Sequence, residues 1–411
     1  MNIYLIIILA IIVIEYFLGL LVEKLNIKNA SDALPQEFEG FYDAEKYKLS
    51  QEYLKENTNF SLLKDTIFTI ITIIFILIGG FNFVDNLARD FTKGPIITGL
   101  IFTGMIIFGA QILGLPFSAY HTFAIEAKYG FNKTTIRTFI LDIIKAFILT
   151  AIIGSAILSA VFWFFQAAGN LAWVYCWIAI TIFQLFLLFI APVVIMPLFN
   201  KFIPLEEGEL KTAIENYAKE QNFVLKGIFK MDASKRSTKS NAFFTGFGRF
   251  RRIALFDTLI AKHTTDELAS VLAHEIGHYK KKHFIKGMLL SIITTGIMLF
   301  ILSFFIKNPG LFAAFKMQNL SIYASLFFFG FLYSPINLFF SIFANVISRK
   351  HEYEADVFAV STYRKPEAFI VALKKLTVDN LSNLTPHPLK VFLDYSHPPV
   401  LKRIEAIKKF S

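Results

Sequence analysis

Seven stretches of this chain are each long and apolar enough to cross a bilayer, and they limit its fold more than any other feature. A helix needs about 20 mainly apolar residues to span roughly 30 Å of hydrocarbon. Ile3–Val22, Thr66–Val84, Pro95–Leu115, Thr138–Phe165, Leu171–Leu198, Gly287–Ile306 and Ser321–Ile347 meet that length. The first is expected to stay as an anchor, because it lacks a basic start and a small-residue cleavage site before Glu23. In the fourth, Asp142 and Lys145 are spaced i,i+3 and are expected to neutralise each other near the interface, with Lys145 snorkelling. Glu15, Gln111, Gln184 and Asn337 lie at membrane depth, the last near a kink expected at Pro335. Such residues either line an interior cavity or bond between helices of a solid bundle.

Composition and charge sharpen this reading. With 55% apolar residues, 48 Phe and one Cys in 411 residues, the chain is not a disulfide scaffold, a disordered protein or an ordinary soluble enzyme. Cys176, inside the fifth span, reads as a small packing residue. The +10 net charge is distributed unevenly: 36 of the 41 Lys/Arg fall in 23–65, 116–137, 199–286 and 348–411. Basic residues stay cytosolic, so these four segments are placed in the cytosol and the N-terminus outside. No aromatic-basic recognition motif accompanies the charge, so its partner is expected to be anionic lipid and not nucleic acid.

The chain therefore divides into a membrane region of five spans (1–198), a polar segment (199–286), two further spans (287–347) and a polar tail (348–411). Within the first region, 25–65 is acidic and amphipathic and reads as a surface helix.

The chemistry sits in the polar segments. Thr264 and Glu267 have capping-box spacing, so a helix should begin there. On it, His274 and His278 are i,i+4 and project from one face, the geometry with which two imidazoles hold one Zn²⁺; Glu275 lies beside them and can serve a bound water. A catalytic zinc needs a third protein ligand and an open position. An extension of the motif downstream is excluded by Lys281 and Phe284, and His283 is out of register. The best remaining carboxylates are in Ser348-Arg349-Lys350-His351-Glu352-Tyr353-Glu354-Ala355-Asp356. Glu352 and Asp356 share a helix face, and Glu354 points roughly 200° away from Glu352. One arrangement puts Glu352 on the metal and has Asp356 accept the second N–H of a zinc-bound His; His351 competes as a ligand.

His274-Glu275-Ile276-Gly277-His278 together with the 348–356 segment resembles the type 1 CAAX prenyl proteases, integral-membrane zinc endopeptidases. Leu34-Pro35-Gln36-Glu37-Phe38, Leu115-Pro116-Phe117-Ser118 with Gly130-Phe131-Asn132-Lys133, Pro197 to Phe202, Ser234 to Phe244, and Asp394 to Pro399 fit the same family. The likeness thus runs nearly end to end. Lys239 departs from it, since eukaryotic members tend to have His there.

The resemblance implies an all-α polytopic fold: seven transmembrane helices around an intramembrane chamber, capped by a gluzincin-like zinc metallopeptidase domain with a small β edge. It makes His274, His278 and Glu352 the ligands of one Zn²⁺, Asp356 a partner of a ligating His, and Glu275 the general base. His397 becomes the oxyanion stabiliser, and Asn241 lies on a strand edge that pairs with substrate backbone. The residues are compatible with this. Asn241 precedes a β-prone Ala-Phe-Phe-Thr run ending at Gly246, and His397 stands in a segment that Pro398 and Pro399 hold extended. Arg403 is able to pair with an acid near the site and stands outside the core set.

The expected function is hydrolysis of peptide or protein substrates, prenylated or simply delivered at the membrane, by a monomer with its site on the cytosolic side. A bacterial inner membrane is the expected location, or the endoplasmic reticulum for a eukaryotic source. A quality-control protease would share this site. A transporter or scaffold with a relic metal site is the reading from a different class.

Overall fold

The computed structural model describes residues 2–31, 33–92, 94–245 and 252–410. Helices α1 (Ile3–Asn29), α2 (Ala44–Leu77), α3 (Gly80–Phe91), α4 (Pro95–Tyr120) and α5 (Ile136–Ala167) open the chain. Helices α1, α2 and α5 begin where short polar side chains satisfy free N–H groups. Asn2 accepts from Tyr4 and Leu5, Asp43 from Lys46, and Thr135 from Thr138. Next come α6 (Ala172–Ile190), α7 (Met196–Phe199), β1 (Phe202–Pro204), α8 (Glu209–Glu220), β2 (Gly227–Met231), β3 (Ala242–Thr245) and β4 (Arg252–Phe256). After α9 (Asp257–Ile260), α10 (Thr265–Lys280), α11 (His283–Ser303) and α12 (Pro309–Ala314), the 42-residue α13 (Ile322–Tyr363) begins. The chain closes with α14 (Pro366–Asp379), α15 (Pro388–Asp394) and α16 (Val400–Phe410).

Seven helices are long and apolar enough to span a membrane. They pack as a ring: α1 on α2, α2 through α3 on α4, then α5, α6, α11, α13 and back to α1. No span buries more than 22% of its apolar window, so most of each span's apolar surface faces lipid or an interior space. The ring is plugged at one end. There Phe102 and Phe162 meet Tyr323 at the start of α13, and Phe315 stacks on Phe328 at 3.8 Å. Cys176 is fully buried in the aromatic cluster beside it.

The structure corrects one expectation about the membrane region and extends two others. The second span ends at Leu77 and not at Val84. Gly79 adopts φ +80, a left-handed turn open to glycine, and the apolar run continues as the separate helix α3. Asp142 forms the expected ion pair with Lys145 at 4.0 Å, and the same Nζ donates to the Leu198 carbonyl. Asp142 accepts two bonds from Arg236, at 2.8 and 3.0 Å, and so ties the fourth span to the polar segment. The helix of the seventh span continues past Ile347: α13 runs on through Pro335 to Tyr363, about 63 Å in all. Glu15 at membrane depth accepts from Ser334, and Glu15, Ser334 and Asn337 line a cavity of about 340 Å³.

The polar end is a mixed α/β unit. Its sheet has the order β1-β2-β4-β3, with β2 parallel to β4 and β3 antiparallel at the edge. The segment 25–65 is not a separate surface helix. Its second half is the beginning of α2, and Phe38, Tyr42 and Tyr47 are buried in one core with Ile214, Leu272, Phe369 and Ile404. Ile125, Tyr129 and Phe131, from the connection after α4, join the same core. The loops between spans thus form part of the polar unit's interior.

Candidate metal centre

Helix α10 starts with the expected capping box, Thr264 and Glu267 exchanging side-chain-to-backbone bonds at 3.3 Å. It carries His274, Glu275 and His278, and two residues, Lys281 and Lys282, join it to α11. Glu352 and Asp356 lie on the extension of α13. The motif helix and the carboxylate helix are therefore each anchored to a membrane span. They cross where Gly277 faces Ala355, close enough for the three candidate ligands to meet.

His274 Nε2 and His278 Nε2 are 3.0 Å apart. Glu352 stands 3.5 Å from the first and 3.2 Å from the second. Zinc bonds of about 2.0–2.1 Å in a tetrahedral site set ligand atoms roughly 3.3 Å apart, so this spacing suits one ion. Glu352 Oε2 is buried and makes no hydrogen bond, its ion pair with Arg403 standing at 3.4 Å, which leaves a lone pair for a metal. Among the described residues these three form the one His/Cys/Asp/Glu group that could hold a metal.

The back of the site is charged as well. His274 Nδ1 lies 2.8 Å from Asp356. Arg403, from α16, donates to both Asp356 oxygens, at 2.9 and 2.6 Å, and sits 3.4 Å from Glu352. Burial works to lower the His274 pKa, but the Asp356 and Glu352 carboxylates outweigh it and hold the metal-free ring at about 9. An imidazole this ready to carry a proton is equally placed to share its lone pair with a metal.

Comparison with known proteins gives the constellation its context. Residues 23–201 match a model described as CAAX prenyl protease N-terminal, five membrane helices, and residues 204–411 match peptidase family M48. The chain belongs to peptidase family M48. It is 35% identical to the CAAX prenyl protease 1 homolog of rice, over 91% of this chain and 90% of that protein. The human CAAX prenyl protease 1 homolog is 31% identical over 93% and 90%. The crystal structure of S. mikatae Ste24p superposes with a TM-score of 0.93 at 31% identity, covering 98% of this chain and 99% of that one. The chain is thus a multi-pass membrane metalloprotease of the CAAX prenyl protease type.

The remaining predicted residues of this M48 peptidase are placed as follows. Glu275 follows His274 on α10 and is half-buried. His397, 64% exposed on the loop before α16, reaches in with Nε2 3.4 Å from Glu352, while its Nδ1 meets Ser396 Oγ at 3.0 Å. Arg349 holds that loop by donating to the Val391 and Tyr395 carbonyls. Asn241 is exposed and immediately precedes β3, the edge strand; its carbonyl accepts from Phe256 at 3.1 Å. Gly246, where the β-prone run was expected to end, lies outside the described residues. Lys239 is committed elsewhere, paired with Glu126 at 2.9 Å and bonded to Tyr53. His351 is not among the ligand group; its ring stacks on His283 at 3.9 Å.

Two contributors escaped the sequence. Asn380, at the end of α14, donates to the Ser240 carbonyl and accepts from its N–H, both at 3.1 Å, which fixes the backbone just before β3. Gly277 sets the helix crossing. A Gly inside a metal motif was the one signal for it.

Proposed function

We propose that this chain is a zinc endopeptidase whose site faces the cytosol. It cleaves near the ends of peptides that the membrane ring delivers, prenylated ones included. The observation that carries this reading is the convergence of His274, His278 and Glu352 at the polar end of the ring, with β3 the edge strand of the same unit's sheet among the described residues. The two imidazoles and Glu352 would hold the ion, and Asp356 orients His274 through Nδ1. Zinc, when bound, supplies Lewis-acid polarisation and a water acidic enough to attack at neutral pH.

The protein's own groups do the rest. A substrate backbone laid along β3 gains main-chain bonds without regard to side-chain identity, and Asn241 lies at the start of that edge. Glu275 takes the proton of the attacking water and passes it to the leaving amine. His397, whose Nε2 stands 3.4 Å from Glu352, stabilises the charge that develops on the carbonyl oxygen. The basic residues around the polar unit keep this end on the side of anionic lipid headgroups.

The test is cleavage of one peptide in farnesylated and unmodified forms by the purified chain, with and without a chelator. Chelator-sensitive cleavage that is faster on the farnesylated form is the expected result. Equal rates favour general membrane-protein quality control by the same chemistry. No chelator-sensitive cleavage of either form overturns the endopeptidase reading.

A further inference from the structure

The two ligand imidazoles are backed differently. His274 Nδ1 meets the Asp356 carboxylate directly, at 2.8 Å. Among the described residues no carboxylate pairs with His278 Nδ1; 3.0 Å away is the Nδ1 of His283, the first residue of α11. The other nitrogen of His283 lies 3.0 Å from Glu354 Oε2. His283 is buried, and the face of its ring lies against His351 at 3.9 Å with the planes only 10° apart, so its orientation is fixed. The sequence offered no role for either residue. His283 is out of register as a ligand, and Glu354 points away from Glu352.

Hydrogen-bond logic admits one assignment once His278 binds a cation through Nε2. Its proton then sits on Nδ1 and must be donated, so His283 Nδ1 must accept. A neutral His283 carries its own proton on Nε2, and Glu354 accepts that one. Every donor in the row has an acceptor, and the row ends on a carboxylate.

We propose that His283 and Glu354 form a positioning relay, which holds His278 in its metal-binding tautomer and orientation and raises its basicity as a ligand. The relay does for His278 what Asp356 does for His274, with one imidazole interposed. Helix α13 then supplies three functions within five residues: Glu352 to the ion, Asp356 behind one His, and Glu354 behind the other. The interposed ring belongs to the first turn of the sixth span. This couples the coordination of His278 to the junction between α10 and the membrane.

This inference rests on the metal reading given above, and the experiment separates the two. Metal-free full-length protein in detergent is titrated with zinc against a chromophoric chelator, and the visible spectrum of the cobalt-substituted form is recorded. Wild type should bind one zinc; failure there removes the metal reading itself. His283→Phe keeps a flat ring against His351 but offers no acceptor, and is expected to weaken zinc about 10- to 100-fold and shift the cobalt spectrum. His283→Asn places an oxygen near the position of Nδ1 and should recover most of that loss. Glu354→Gln, a half-exposed position with little bearing on folding, should weaken zinc by a smaller factor and move the spectrum in the same direction. The relay is overturned if His283→Phe binds zinc within about twofold of wild type, or if Asn is no better than Phe. Should His283→Phe not fold, Glu354→Gln decides, and a wild-type affinity with an unchanged cobalt spectrum sinks the proposal.

Discussion

Gly277 of α10 and Ala355 of α13 approach so closely that a Cβ on the glycine would stand 3.1 Å from both the Cα and the carbonyl oxygen of Ala355. Those neighbours are backbone atoms of a long helix and cannot rotate away. The crossing brings His274 and His278 to Glu352, so the spacing of the metal ligands depends on a missing methyl group.

Gly277→Ala should therefore push α10 away from α13. Overpacking of this kind costs about 1–3 kcal/mol. The expected outcome is a lower thermal midpoint for the metal-loaded protein together with weaker zinc retention during dialysis. A variant that keeps both at wild-type values would show that the helices have slack at this point.

Glu275→Gln should leave the ligand set intact and remove the proton acceptor. Loss of a general base costs on the order of 10²- to 10⁴-fold in rate. Metal analysis should still find one zinc per chain while turnover of a cleavable peptide disappears. Cleavage at close to wild-type rate would contradict the assigned mechanism.

Arg403→Met tests the cation behind the site. It removes both bonds to Asp356 and leaves the buried carboxylates Asp356 and Glu352 one cation short, with the His274 ring between them. Breaking a buried ion pair from one side costs about 3–5 kcal/mol. Denaturation of the metal-free variant should show that loss. Added zinc should recover part of it, because the metal replaces the missing positive charge.

Metal uptake should release a proton. The metal-free His274 ring, held at about 9 by Asp356 and Glu352 against the effect of burial, is protonated at neutral pH, and a ligand must be neutral. Zinc affinity should then fall as pH falls from about 9 to 7, by about tenfold per unit for this one proton. Calorimetry in buffers of different ionisation enthalpy reads the proton count directly, and a count of zero at pH 7 would contradict the prediction.

The Asp142–Arg236 pair makes a different forecast, about the join between membrane and peptidase. Arg236 also contributes its carbonyl to Lys133 and Thr134, so the ion pair holds a whole loop junction. Asp142→Ala should cost about 1.5–3 kcal/mol of local stability, the usual worth of bonds to a charged group. Hydrogen exchange should rise in 130–134 and 234–238 while the ligand helices stay protected.

The membrane spans and the motif helix were legible in the sequence because each depends on neighbours a few residues away. Runs of apolar side chains mark the spans, and i,i+4 spacing puts His274 and His278 on one face of a helix. The end of the second span was not legible, because average hydropathy does not register the left-handed turn at Gly79. The burial of Phe38 and Tyr42 escaped as well: their partners Leu272 and Phe369 lie far along the chain, and a charged, amphipathic stretch reads as surface until those partners arrive.

By itself, then, the sequence determined that this chain crosses the membrane seven times and carries a two-histidine motif on its basic side. Tertiary structure decided which groups complete the site. Arg403 comes within 3.4 Å of His274 across 129 residues of sequence, and Glu354 finds His283 across 71. No periodicity encodes such meetings. They follow from how α10, α11, α13 and α16 pack, because buried charges and ring nitrogens cannot remain without partners.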